Sequence, residues 1–177
     1  MSWRRKIDCH EFARRPLRLE SSALLPMNLI LEKSEQVRYF TNMRDIFAAA
    51  GIVPQSYDWY VSDIETNFTP DGFSSADQWM RGEELASLVQ EHEIQFIWAV
   101  FSAVPIGFRS TVSAVPYVEG NPDYWNGKDA TPQLDGALFE IACWDSSATI
   151  LINLPAEAQR RFIAAYSDTR PLSKARR

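Results

Sequence analysis

Ile94-Gln-Phe-Ile-Trp-Ala-Val-Phe-Ser-Ala-Val104 runs eleven residues without a charge and with only two polar side chains. At a period of two, Phe96, Trp98, Val100 and Ser102 share one face, while Ile97, Ala99, Phe101 and Ala103 share the other. Both faces are apolar, so a strand here must be covered on both sides and belongs inside a sheet. The wealth of aromatic and β-branched residues, closed by Pro105, favours a strand over a buried helix.

The flanks agree with a mixed fold. Upstream, Gly82-Glu-Glu-Leu85 opens a helix with anions where the N-terminal dipole favours them, and Leu85, Leu88, Val89 and His92 form its inner or boundary face. Ser75 followed by Gln78 resembles a capping box, which predicts a short helical turn carrying Trp79 and Met80 inward. Tyr57 to Glu65 alternates as a strand with Trp59, Val61, Asp63 and Glu65 on one side. Val37, Phe40, Met43, Phe47 and Ala50 recur at helical spacing, predicting an amphipathic helix over 34–50 that stops at Gly51.

Downstream, 111–118 reads as an edge strand containing Pro116, and 119–136, with three glycines and two prolines, as a long loop. Residues 137–144 and 148–154 form a predicted hairpin around Asp145-Ser-Ser, and Pro155 starts a last helix. With a strand at Leu29–Leu31, the predicted class is α+β: a mainly antiparallel sheet of about five or six strands with about three helices packed on it.

At 177 residues the chain suits one domain. The expected organisation is a basic N-terminal extension over 1–26, disordered or carrying a short helix, an acidic body over 27–169 and a basic C-terminal tail over 170–177. The charge supports this division. The net charge is −5, yet 27–169 holds 8 Lys or Arg against 20 Asp or Glu, a net of −12. Such a body repels nucleic acid and steers cationic partners towards itself over about 8–10 Å at ordinary salt. No apolar run approaches the ~18 residues of a membrane span, no secretion signal is read, and two distant cysteines fit a reducing cytoplasm, so a cytoplasmic, bacterial protein is expected.

Phosphate-binding glycine loops, C-x-x-C, H-E-x-x-H and G-x-S-x-G are all missing, and His10 and His92 are the only histidines. No cofactor or catalytic residue is assigned. A Cys143–His92 pair is weaker than two plain core or boundary residues. Two constellations are left. Asp63, Glu65, Glu140 and Asp145 would make a metal or acid–base site if the fold brought them together, with Glu140 conspicuous as a charge inside an apolar strand; otherwise Glu140 points to solvent or pairs with Arg109 or Lys128. In the long loop, Tyr124 and Trp125 stand among Glu119, Asp123, Asp129 and Asp135, the composition of an aromatic anchor with acidic steering. The leading expectation is therefore a small acidic protein-binding module, such as an inhibitor or immunity protein for a cationic protein. A carboxylate enzyme and a structural or assembly subunit are the alternatives.

Overall fold

The computed structural model describes residues 27–176, so the readings made for 1–26 lie outside the described residues. A single seven-stranded sheet organises the molecule: β1 Leu29–Glu32, β2 Asp58–Thr66, β3 Gln78–Arg81, β4 Phe96–Val104, β5 Phe139–Trp144, β6 Ala148–Ile152 and β7 Arg170–Pro171. Across the sheet the order is β3-β2-β4-β5-β6-β1-β7. Every neighbouring pair is antiparallel. Among the described residues three α-helices accompany it, α1 Met43–Ala50, α2 Gly82–Glu91 and α3 Ala156–Ala165. The class is α+β as expected, with more strands than the five or six read from sequence, because the short β3 and β7 carry too few residues to show a period.

β4 is the interior strand that its sequence requires, paired with β2 on one side and β5 on the other. Its alternation holds from Trp98 onwards. Ala99, Phe101 and Ala103 join Trp59, Val61, Phe139, Ile141, Cys143 and the buried residues of all three helices, while Val100 packs on the opposite side with Ala142, Ile150 and Ile152. Phe96 departs from the period-two reading and joins the helix side, where it meets Phe101 edge-on at 4.9 Å. The cause is local: β2 and β4 slip register between Ser62 and Thr66, where Asp63 adopts a positive φ.

The helix predicted over 34–50 begins only at Met43, because the Asn42 side chain accepts from the backbone N–H groups of Arg44 and Asp45 and caps it there. Val37 and Phe40 still reach the core from irregular chain, which explains the spurious helical period. Likewise 75–81 is no helical turn: Gln78 donates its amide to the Ser74 and Ala76 carbonyls, and Gln78–Arg81 pairs with β2. Gly82 then turns the chain into α2. A Cβ there would lie 2.2 Å from the Pro54 carbonyl oxygen and 2.3 Å from that of Tyr57, so only glycine fits. The basic C-terminal end also packs. β7 pairs with β1, Arg170 bridges Glu32, and Leu172 and Ala175 are buried.

The three helices cover one face of the sheet. The other is covered mainly by chain running from Pro105 to Leu138 between β4 and β5, without helix or strand apart from one turn of 3-10 helix, and by Leu172 and Ala175 of the C-terminal end. The loop is longer than the predicted 119–136, and it absorbs the strand predicted over 111–118. That stretch lies across the sheet face with no strand beside it: the Pro116 carbonyl accepts from Ser62 Oγ at 2.7 Å.

Candidate functional site

The aromatic constellation lies in the 105–138 loop and two of the four candidate carboxylates, Asp63 and Glu140, lie under it, so the way that loop is held decides what these residues can do. Irregular chain laid on a sheet brings unpaired backbone groups towards an apolar surface, and each needs a partner. The sheet supplies carboxylates. Glu140, fully buried on β5, accepts from the Gln133 N–H at 2.9 Å, from the Leu134 N–H at 2.9 Å and from Ser102 Oγ at 2.8 Å. Asp63 Oδ2 accepts from the Val118 N–H at 2.7 Å and the Glu119 N–H at 3.0 Å. Asp58 Oδ2 accepts from the Gly107 N–H at 2.9 Å and from Arg109 at 2.8 Å. Three acids on two strands thus pin the beginning, middle and end of one loop.

Their electrostatics differ. Burial pushes the Glu140 carboxyl above the usual range, and its three hydrogen bonds only partly offset this. Burial works the same way on Asp58, but the Gly107 N–H and the Arg109 guanidinium outweigh it and hold that carboxyl below its ordinary value. Glu140 therefore neither reaches solvent nor pairs with Arg109 or Lys128. Its place in an apolar strand is explained by the loop amides it binds.

The four candidate carboxylates are not drawn into one centre. Asp63 and Glu140 serve different stretches of the loop, Glu65 is exposed near the end of β2, and Asp145 is exposed in the β5–β6 turn with a positive φ. Among the described residues no group of three or more His, Cys, Asp or Glu is placed to hold a metal ion. Cys143 lies on the helix side with Sγ 3.9 Å from Met43 Sδ, its thiol pushed up by burial, whereas His92 ends α2 beside Phe68. They do not form a nucleophile–base pair.

The loop aromatics divide as well. Tyr124 is a correction to the sequence reading: only 2% exposed, its hydroxyl accepting from Gln133 Nε2 at 2.8 Å, it offers no surface to a partner. Burial, reinforced by the nearby Glu140 charge, raises its phenol well above the ordinary value. Trp125 is half-buried, 4.6 Å from Trp144 in an edge-on contact, and Trp144 in turn meets Trp98 at 5.2 Å. Glu119, Asp123, Asp129 and Asp135 are all exposed.

A second acidic region went unremarked in the sequence. From 57 to 104 there are nine Asp or Glu and one Lys or Arg, Arg81, which pairs with Glu84 at 2.9 Å. Seven of these acids, Glu65, Asp71, Asp77, Glu83, Glu84, Glu91 and Glu93, are exposed on or beside β2, β3 and α2. A running charge count would have found this stretch; its gathering along one sheet edge needed the strand order. No protein-family model, curated protein or solved structure matches the chain.

Proposed function

We propose that this protein is an acidic binding module that occupies a basic surface on a protein partner, in the manner of an inhibitor or immunity protein. The supporting observation is the separation of its acids by role. Asp58, Asp63 and Glu140 face inward and are consumed in holding the loop. The acids on the loop and on the β3 edge are exposed, with Asp77, Glu84 and Asp123 making local hydrogen bonds, in a 27–169 body of net charge −12. Such a surface raises association rates with cationic proteins. Trp125 supplies an aromatic side chain within the acidic loop. The carboxylate-enzyme reading has no comparable support, since two of its four residues are engaged by backbone amides.

Affinity purification from the native host followed by mass spectrometry tests the reading without presupposing a partner. A basic protein should be recovered at low salt and released as salt rises. Charge reversal of Asp123 and Asp129 should slow its association, while Trp125→Ala should speed dissociation and weaken the complex by about 2 kcal/mol. Recovery of a bound metal or metabolite without any protein would sink the reading.

A further inference from the structure

The two edges of the sheet are not alike. β7 is two residues long and includes Pro171, which has no N–H to give another strand. β3 is twice as long, contains no proline and, among the described residues, pairs only with β2. Its outward groups follow from the pairing. The Arg81 N–H is turned away from β2 and taken by Glu84 Oε2 at 2.8 Å, so alternation turns the Trp79 N–H and carbonyl to the same outer side. Among the described residues no group meets them.

A groove of about 470 Å³ runs along this edge. Trp79 and Met80, whose side chains leave opposite faces of β3, both line it, so the strand's outer backbone lies between them as its floor. The remaining walls are the 71–73 turn and the outer side of α2, with Phe73 and Leu88 apolar and Asp71, Glu84 and Glu91 at the rim. Open ladder positions, an apolar lining and a negative rim are three properties that one occupant satisfies together: extended chain, alternating apolar side chains and interspersed lysine or arginine.

We propose that the β3 edge groove takes an extended, Lys/Arg-bearing segment of the cationic partner as an eighth strand. This rests on the reading of the protein as a binder of cationic proteins and gives that reading a place and a geometry. Trp79 provides the backbone donor and acceptor. Phe73, Met80 and Leu88 receive the inward side chains, and Asp71 and Glu91 face the basic ones; Glu84, already engaged by Arg81, contributes charge without a free hand.

The test uses the full chain and a capped peptide of six residues alternating lysine and valine, at millimolar concentration, followed by amide NMR and hydrogen exchange. Three controls accompany it: the same peptide N-methylated at every residue, which keeps the charge but has no N–H on either edge with which to pair, the Asp71→Lys/Glu91→Lys double variant, and polylysine. The expected result is a slowing of Trp79 N–H exchange by about tenfold or more with the unmethylated peptide and no slowing with the methylated one. Affinity for the double variant should fall by about tenfold, with unchanged thermal stability. Equal binding of both peptides, or shifts centred on Asp123, Asp129 and Asp135, would overturn strand addition at β3 while leaving an acidic binder in place. Binding of neither peptide, together with no response to polylysine, would overturn both proposals. A Trp79 N–H already protected before peptide is added, with Lys6 cross-linking to Asp71 or Glu91, would assign the groove to this chain's own first residues and overturn the partner as occupant.

Discussion

The two faces of this sheet are covered by different kinds of chain and held by different forces. On the helix side the contact is apolar: Trp59, Phe101, Phe139 and Ile141 meet Met43, Phe47, Leu85 and Phe162, and Trp59 is ringed by Phe47, Tyr57 and Phe139 at centroid distances of 5.3 to 5.9 Å. Helices can be held this way because they satisfy their own backbone. The 105–138 loop cannot, and on its side the sheet offers carboxylates where the helix side offers methyl groups and rings. Buried charge on this protein is thus a fixing device for irregular chain, and its presence in a strand does not by itself mark chemistry.

The largest test of that contrast is Trp59→Ala, which should cost about 3–5 kcal/mol by denaturant midpoint because a fully buried ring leaves a cavity in the core on the helix side. Trp98→Ala, at a half-buried position on the loop side, should cost clearly less; equal losses would mean that the two faces share one kind of packing.

Glu140→Ala comes next. It orphans two backbone N–H groups and the Ser102 hydroxyl, at about 1–3 kcal/mol for each group that finds no new partner. Its signature is regional: native-state hydrogen exchange should quicken at Gln133 and Leu134 and leave the α1 and α2 amides unchanged. Uniform quickening would erase the distinction between the faces.

Acid titration sharpens the comparison within the loop side. Glu140 has a raised folded pKa, so its contribution is complete below the unfolded glutamate value and is lost as pH climbs through the folded one. Asp58 has a lowered pKa, so its contribution is present above the unfolded aspartate value and is lost as pH falls through the folded one. Wild-type stability relative to Glu140→Gln should therefore fall as pH rises above about 4, whereas relative to Asp58→Asn it should rise only up to about pH 4 to 5 and then stay level. Parallel slopes would refute the assignment. The smallest effect is expected at Asp63→Asn, which retains one side-chain acceptor and a residue type that tolerates the positive φ, with a loss of about 1 kcal/mol.

The sequence made legible what periodicity encodes over eight or more residues. β4, β2 and α2 could be read from their alternation or their acidic first turn, and the β5–β6 hairpin from its bounding turn. Gln78–Arg81 and Arg170–Pro171 are strands by virtue of the neighbours they meet, and four or two residues hold no period. Thr111 to Val118 had strand composition but lies where no edge is available. The candidate acids were visible as residue types; their partners are backbone N–H groups, which every residue but proline carries, so no spacing could announce them. Tyr124 illustrates the same limit, its burial depending on Gln133 and on the sheet beneath.

β1 has one further consequence, for the order in which the chain can assemble. It is the first strand among the described residues, yet its neighbours there are β6 and β7, joined through pairs such as Ile30 with Ile150 and Ile30 with Arg170. During synthesis β1 can find no permanent partner until position 148 and beyond have emerged, and its apolar Leu29, Ile30 and Leu31 must wait through that interval. The β5–β6 hairpin, closed by two residues of positive φ at Asp145 and Ser146, can form early and locally. Closure of the sheet by β1 is then a late, long-range event, which places this protein among slower folders of its size and makes the unpaired first strand its point of exposure to aggregation on the ribosome.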